Sequence, residues 1–238
     1  MKPYKNISSS KKVQVRNMFN SISKEYDFLN KIMTFGNDAV WRKKIYSIAK
    51  ESSPETILDI ATGTADIALE LSNIKNVKII GIDISEKMLK IGDNKILKRN
   101  LSSRIQLQKG DAENIDYPEN YFDIVTIGFG VRNFENLTIG LKETYRVLKK
   151  TGKLIILETS VPNNTILKLF YKILSRTFIP TIGYLLSKDR TAYGYLQESA
   201  EKFPCGKKFL SILEQAGFKN TRLQVLMLGA TSIYIAEK

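Results

Sequence analysis

The chain has 238 residues, 43% hydrophobic and 26% charged, enough to bury one core and free of the apolar depletion that marks disorder. A single cysteine, Cys205, excludes an intrachain disulfide, and the lack of histidine removes the commonest general base and the usual zinc sites, so no metal is expected. The net charge of +13 would suit nucleic acid, anionic lipid or an acidic substrate. However, Lys, Ile and Asn recur along the whole length and no RRM, KH or zinc-finger pattern occurs, so the surplus reads as compositional bias and no nucleic-acid partner is expected.

Residues 1–12 are polar and lysine-bearing with no apolar run behind them, and read as a loose tail rather than a signal peptide or anchor. Val13, Val15, Phe19 and Ile22 give a partial apolar helical face; helices over 26–33 and 39–49 follow, and Ser53-Pro54 closes this layer. The pattern then switches. Short apolar runs at 56–61, 77–82, 104–108, 122–127 and 153–157 read as strands, alternating with helices at 66–72, 85–99 and 137–148. Such alternation implies right-handed crossovers and a parallel sheet covered on both faces, a doubly wound, Rossmann-like α/β fold. A helical insertion is expected over about 165–201, broken near Pro180 and Gly183, then a helix at 209–216. Strands at 218–227 and 231–236, separated by Leu228-Gly229-Ala230, form an antiparallel hairpin. This ending is the layout of class I methyltransferases, whereas a NAD-binding sheet normally ends in another parallel crossover. One domain results: an N-terminal helical layer (1–52), a cofactor-binding half (53–160), an insertion over the acceptor site (161–205), and a terminal helix and hairpin (206–238).

Leu58 to Asp66 runs from a strand through a small-residue turn into a helix, so a ligand can lie against the backbone with free N–H groups nearby. Asp59 and Gly63 belong to this turn. Asp83, at the end of the second strand, lies beside it across the crevice, where a carboxylate accepts from both ribose hydroxyls of an adenosine. Asp111, in Lys109-Gly110-Asp111-Ala112, could accept from the adenine amino group. NAD is the rival ligand, but the fingerprint would fall on 63–68, where two of three glycines are missing. S-adenosyl-L-methionine has no pyrophosphate to cradle and fits better.

Further motifs span nearly the whole chain. Tyr26-Asp27-Phe28-Leu29-Asn30, Thr34-Phe35-Gly36, Trp41-Arg42, the loop Phe129-Gly130-Val131-Arg132-Asn133, Arg146-Val147-Leu148-Lys149 through Glu158, and Tyr193 to Ser199 resemble the quinone-biosynthesis C-methyltransferases, which methylate demethylmenaquinol or the related ubiquinol precursor. The resemblance places Thr64, Asp83, Asp111 and Ala112 on cofactor-binding positions. Gly128 stands where many members carry a serine that contacts the cofactor, Ala65 replaces a frequent glycine, and Asp38 stands where a histidine is frequent.

A sulfonium methyl is already a strong electrophile, so the chain mainly has to align the acceptor carbon and exclude water. Arg132 is the candidate for stabilising a developing phenolate, with Asn133 orienting it; as alternatives to site roles, Arg132 could be a structural salt bridge, and Asp27 and Tyr26 a helix cap and a core aromatic. Otherwise Asp27, or a water it holds, serves as base with Tyr26 as its partner. Ile166, Leu169, Phe170, Ile173 and Leu174 beside Lys168, Lys172 and Arg176 make a basic amphipathic helix, which could cover a prenyl tail or touch anionic lipid. The expected partner is a lipid-soluble prenylated hydroquinone, the expected location cytoplasmic with a peripheral inner-membrane contact, and a homodimer is a further expectation. The acceptor stays open between naphthoquinol and benzoquinol, with demethylmenaquinol preferred. A relative of the fold that binds RNA is the reading from another class, against which stands the lack of aromatics interleaved with a basic run.

Overall fold

The computed structural model describes residues 1–4, 7–162, 164–169 and 190–238. The central part of the expected insertion, with Pro180, Gly183 and the amphipathic stretch beyond Leu169, lies outside the described residues.

The described helices are α1 (Lys11–Ile22), α2 (Tyr26–Met33), α3 (Asn37–Lys50), α4 (Asp66–Leu71), α5 (Glu86–Lys98), α6 (Leu137–Val147), α7 (Arg190–Lys202) and α8 (Lys207–Gln215). The strands are β1 (Thr56–Ile60), β2 (Lys78–Asp83), β3 (Ile105–Lys109), β4 (Phe122–Gly128), β5 (Leu148–Thr159), β6 (Lys219–Leu226) and β7 (Thr231–Glu237). They form one sheet in the order β3-β2-β1-β4-β5-β7-β6, parallel from β1 to β5, with β7 antiparallel between β5 and β6. This is the expected doubly wound sheet closed by a terminal hairpin.

Strands covered on both faces need apolar side chains in both pleat directions. Ile57, Ile79, Ile124 and Ile155 pack with Trp41 and Ile45 of α3 and Leu71 of α4. Their neighbours Leu58, Val125, Leu154 and Ile156 pack with Leu141 of α6 and Leu213 of α8. A third cluster joins Val15, Met18 and Ile22 of α1 to Leu29 of α2, Met88 of α5 and Tyr193 and Tyr195 of α7. These helices roof the carboxyl edge of the sheet.

Two expectations are corrected. β5 begins at Leu148, not 153; its register against β4 shifts between Phe122 and Ile124, so the polar stretch Lys149–Gly152 joins the sheet irregularly and carries no alternation to read. The N-terminal segment is tied down rather than loose. Gln14, 1% exposed, must satisfy a buried amide: its Oε1 accepts from Tyr4 N at 2.8 Å, and its Nε2 donates to Ile7 O and Ser9 O.

Candidate active site

The turn after β1 is built on left-handed backbone: φ is 54° at Ala61, 56° at Gly63 and 66° at Ala65. Two alanines held there store roughly 1 kcal/mol or more each, strain that persists only where the surroundings enforce it. Asp59 does so. Its carboxylate, 1% exposed, accepts from Thr62 Oγ1 and Thr126 Oγ1, both at 2.6 Å, and burial pushes it up to about 6 against those two hydroxyls. One hydroxyl on each oxygen lets Asp59 brace the turn against β4, and Asp59 borders a space it shares with Ala61, Thr62, Gly63 and Thr64.

Asp83 ends β2 beside this turn. Its Oδ2 accepts from Gly63 N at 2.9 Å and its Oδ1 from Ser85 N at 2.7 Å; burial pushes the carboxyl up to about 6, opposed by the amides of Ser85, Gly63 and Ile84. Each carboxylate oxygen has a second lone pair left for a ligand hydroxyl. Asp83, Gly63, Asp111, Ala112 and Gly128 all border one crevice of about 700 Å³, open mouth included. Ile82, Ile84, Val15 and Met88 give it apolar walls fit for a flat base, and its described lining offers one cation, Lys12, with no phosphate cradle. This donor set suits adenosine carrying an amino acid better than a dinucleotide. Asp111 is already engaged, accepting from Lys12 Nζ at 2.6 Å and Glu113 N at 2.9 Å. Thr64 turns its hydroxyl outward, donating to Asp27 Oδ1 at 2.6 Å and accepting from Lys95 Nζ at 3.0 Å, so any ligand contact falls to its backbone.

A second cavity of about 980 Å³, open volume included, has an apolar described lining that includes Met33, Trp41, Leu196 and Met227. Arg132 is its one ionic side chain among the described residues. Tyr26 and Phe129 border both spaces and form the partition between them.

The loop after β4 explains its own motif. Phe129 sits at φ 53° as part of that partition, and a Cβ on Gly130 would lie 2.6 Å from Ala61 Cβ, so only glycine fits. Arg132 Nη1 and Asn133 Nδ2 both donate to Phe129 O, at 2.9 and 3.2 Å, holding the strained residue. Arg132 also pairs with Glu158 at 2.5 Å, with 9% and 0% side-chain exposure, while its Nε is buried without a hydrogen-bond partner. Asn133 Oδ1 accepts from Tyr195 Oη at 3.2 Å, and burial pushes that phenol up to about 12. Burial likewise raises Tyr26 above the ordinary phenol value, opposed by Asn30 and by Arg132.

Asp27 is not brought into the site. Its Oδ1 accepts from Thr64 and its Oδ2 pairs with Lys95 Nζ at 2.6 Å, outside the lining of both cavities. With a hydroxyl on one oxygen and an ammonium on the other, Asp27 ties α2 to the turn before α4 and to α5, and lies apart from the chamber that Arg132 borders. Asp38, at the position where histidine is frequent, accepts from Arg42 and Thr34; burial would raise it, but those partners hold it below the ordinary value. Sequence reasoning missed Glu158, Phe129 and Lys12 as site residues. Glu158 left a signal, a carboxylate directly after the apolar run Leu154 to Leu157; the ion pair of Lys12 joins residues 99 positions apart and left none.

The model of the ubiE/COQ5 methyltransferase family matches residues 7–238. The chain belongs to this family. The family member named demethylmenaquinone methyltransferase in Bacteroides fragilis is 40% identical over 239 aligned positions, covering 100% of this chain and 97% of the relative. The ubiquinone/menaquinone biosynthesis C-methyltransferase UbiE of Geotalea daltonii is 39% identical, over 94% of this chain and 96% of its own. Among solved structures, a SAM-dependent methyltransferase from Aquifex aeolicus superposes with a TM-score of 0.64 at 19% identity, over 91% of this chain and 97% of that one, which shows the fold. Membership of this family implies S-adenosyl-L-methionine as the methyl donor. Among the described residues, no helix is long and apolar enough to cross a membrane.

Proposed function

We propose that this chain methylates a ring carbon of a prenylated hydroquinone, demethylmenaquinol, with S-adenosyl-L-methionine as donor. The observation that carries this reading is the pair of joined spaces: a crevice lined by Asp83 and Asp111, meeting at Tyr26 and Phe129 an apolar chamber with one buried guanidinium in its wall. Asp83 would take the ribose hydroxyls, Asp111 and Ala112 the base, and the backbone of Gly63, Thr64 and Gly128 the amino-acid end. Bound there, the donor supplies an electrophilic methyl. Everything else falls to the chain's own groups. Tyr26 and Phe129 keep water from the junction and set the approach of the ring. Arg132 offers its free Nε–H to the acceptor's oxygen, favouring the ionised ring whose carbon is nucleophilic. Asn133 holds the loop that presents it. The acceptor's proton is released as its ring carbon takes the methyl; the described lining of the chamber holds no carboxylate or amine to receive it.

Incubation of the protein with labelled S-adenosyl-L-methionine and either reduced demethylmenaquinone or the reduced ubiquinone precursor tests the reading: label in the naphthoquinol supports it, and none in either quinol refutes it. Arg132→Ala should lower turnover by about 100-fold or more while leaving donor affinity in place; equal loss of both would remove Arg132 from this role.

The mouth of the chamber also favours a peripheral membrane contact by a cytoplasmic protein. Phe35 and Met227 border the chamber while 57% and 37% exposed, and Leu228, beside Met227, is 76% exposed. Apolar side chains around the opening for a lipid-soluble substrate fit a bilayer surface. Sedimentation with anionic vesicles should be lost in a Phe35→Ser, Leu228→Ser variant; equal sedimentation of both proteins would refute the contact.

A further inference from the structure

We infer that Glu158 is a positioning residue for methyl transfer, on the footing that Arg132 meets the acceptor oxygen. Glu158 sits next to the end of β5 and is fully buried. Its Oε1 accepts from Arg132 Nη1 at 2.5 Å, from Thr159 N at 2.7 Å and from Thr159 Oγ1 at 3.1 Å; Oε2 accepts from Arg132 N at 3.4 Å. The same Nη1 donates to Phe129 O at 2.9 Å. A guanidinium is a rigid plane, so fixing one corner with two acceptors fixes the direction of its remaining N–H groups. One of these, Nε–H, is buried with no partner on a side chain that borders the apolar chamber. A buried donor left unmatched calls for a partner, and a phenolic oxygen entering the chamber would satisfy it once a small shift of the side chain opens the N–H to that space.

Glu158 has a second effect. Paired with a carboxylate, Arg132 presents an oriented donor but little net charge, which tempers its pull on the acceptor's proton. Removing the carboxylate's charge leaves an unscreened cation against the chamber, so ionisation of the bound acceptor moves to lower pH. Shortening the side chain while keeping its charge spoils the aim and leaves that ionisation where it was.

The test follows kcat and KM for demethylmenaquinol against pH, at saturating S-adenosyl-L-methionine, in Glu158→Asp, Glu158→Gln and Arg132→Ala, with donor affinity by calorimetry. Glu158→Asp should lower kcat roughly 100-fold with the acidic limb of the pH profile unmoved, and Glu158→Gln should lower kcat and shift that limb to lower pH, both keeping donor affinity within about twofold. A kcat of Glu158→Asp within about threefold of the parent overturns the inference, as does a uniform fall at every pH in both variants with no shift of the limb. Should Glu158→Gln fail to fold, Glu158→Asp decides alone: a fall in kcat with donor affinity and acceptor KM held supports the positioning role, and joint loss of all three overturns it. Turnover by Arg132→Ala at the parent rate refutes the reading of Arg132 itself; loss there with both Glu158 variants unaffected refutes only the part given to Glu158.

Discussion

Donor binding should weaken in mild acid because of one carboxyl group. Asp83 is held up at about 6 from an ordinary 3.8, chiefly by burial. Ribose hydroxyls donate to the ionised carboxylate, so the protonated form has to lose its proton before the ligand is accepted. At pH 5 about one molecule in ten carries Asp83 ionised, against nearly all at pH 8, so affinity should fall about tenfold, about 1.4 kcal/mol, between those limits. Near pH 6 binding should release about half a proton per ligand. Titration calorimetry in buffers of different ionisation heat reads both quantities. Folding runs the other way: with its pKa raised in the folded chain, Asp83 contributes stability that is fully present below pH 3.8 and is lost as the pH rises through about 6. Asp83→Asn should bind the donor weakly and with no such pH dependence. Equal affinity at pH 5 and pH 8 in the parent protein, with no proton released, would refute the assignment of Asp83 to the ribose.

Asp27→Asn should retain turnover within several-fold, since its carboxylate pairs with Lys95 and Thr64; a partly exposed pair of this kind is worth about 1 kcal/mol or less, read as a small drop in melting temperature. A loss of about 100-fold would restore Asp27 as the base. Gly128→Ala would place a Cβ 2.3 Å from Ile67 Cδ1. Thermal melts should show a loss of about 1–3 kcal/mol that Ile67→Val relieves, because the obstructing atom is the end of a side chain; no relief in the double variant would refute the steric account. Tyr195→Phe removes the hydrogen bond to Asn133 and should cost about 1 kcal/mol of stability with a modest fall in kcat, and unchanged melting would show that the bond is unimportant to the loop.

The sheet was legible because its signal is local. Ile57 through Ile60 and Ile124 through Ile127 are apolar but for Asp59 and Thr126, a pattern without alternation that suits a strand covered on both faces, and Ser85 and Asn136 mark helix starts that they do cap in the structure. Asp83 and Asp111 could be placed beside the first turn because parallel topology puts the ends of β1, β2 and β3 along one edge. Asp59 and Asp27 were harder to place. Whether a carboxylate faces a ligand or a threonine depends on one rotamer and on a residue far along the chain, such as Thr126, 67 positions from Asp59, which no spacing rule reaches. The same limit hid the partner of Arg132. Ala65, a departure from the glycine frequent in the family, left the turn's shape alone: it adopts φ 66°, as a glycine would.

If the donor sits beside Asp83 and the acceptor in the chamber, as proposed, Tyr26 and Phe129 would give the two reactants separate doors. The spent nucleoside would then depart from the edge beside Asp83, and the greasy ring would retreat past Phe35 and Met227. Neither departure has to wait for the other, so a shortage of one reactant need not trap the other inside.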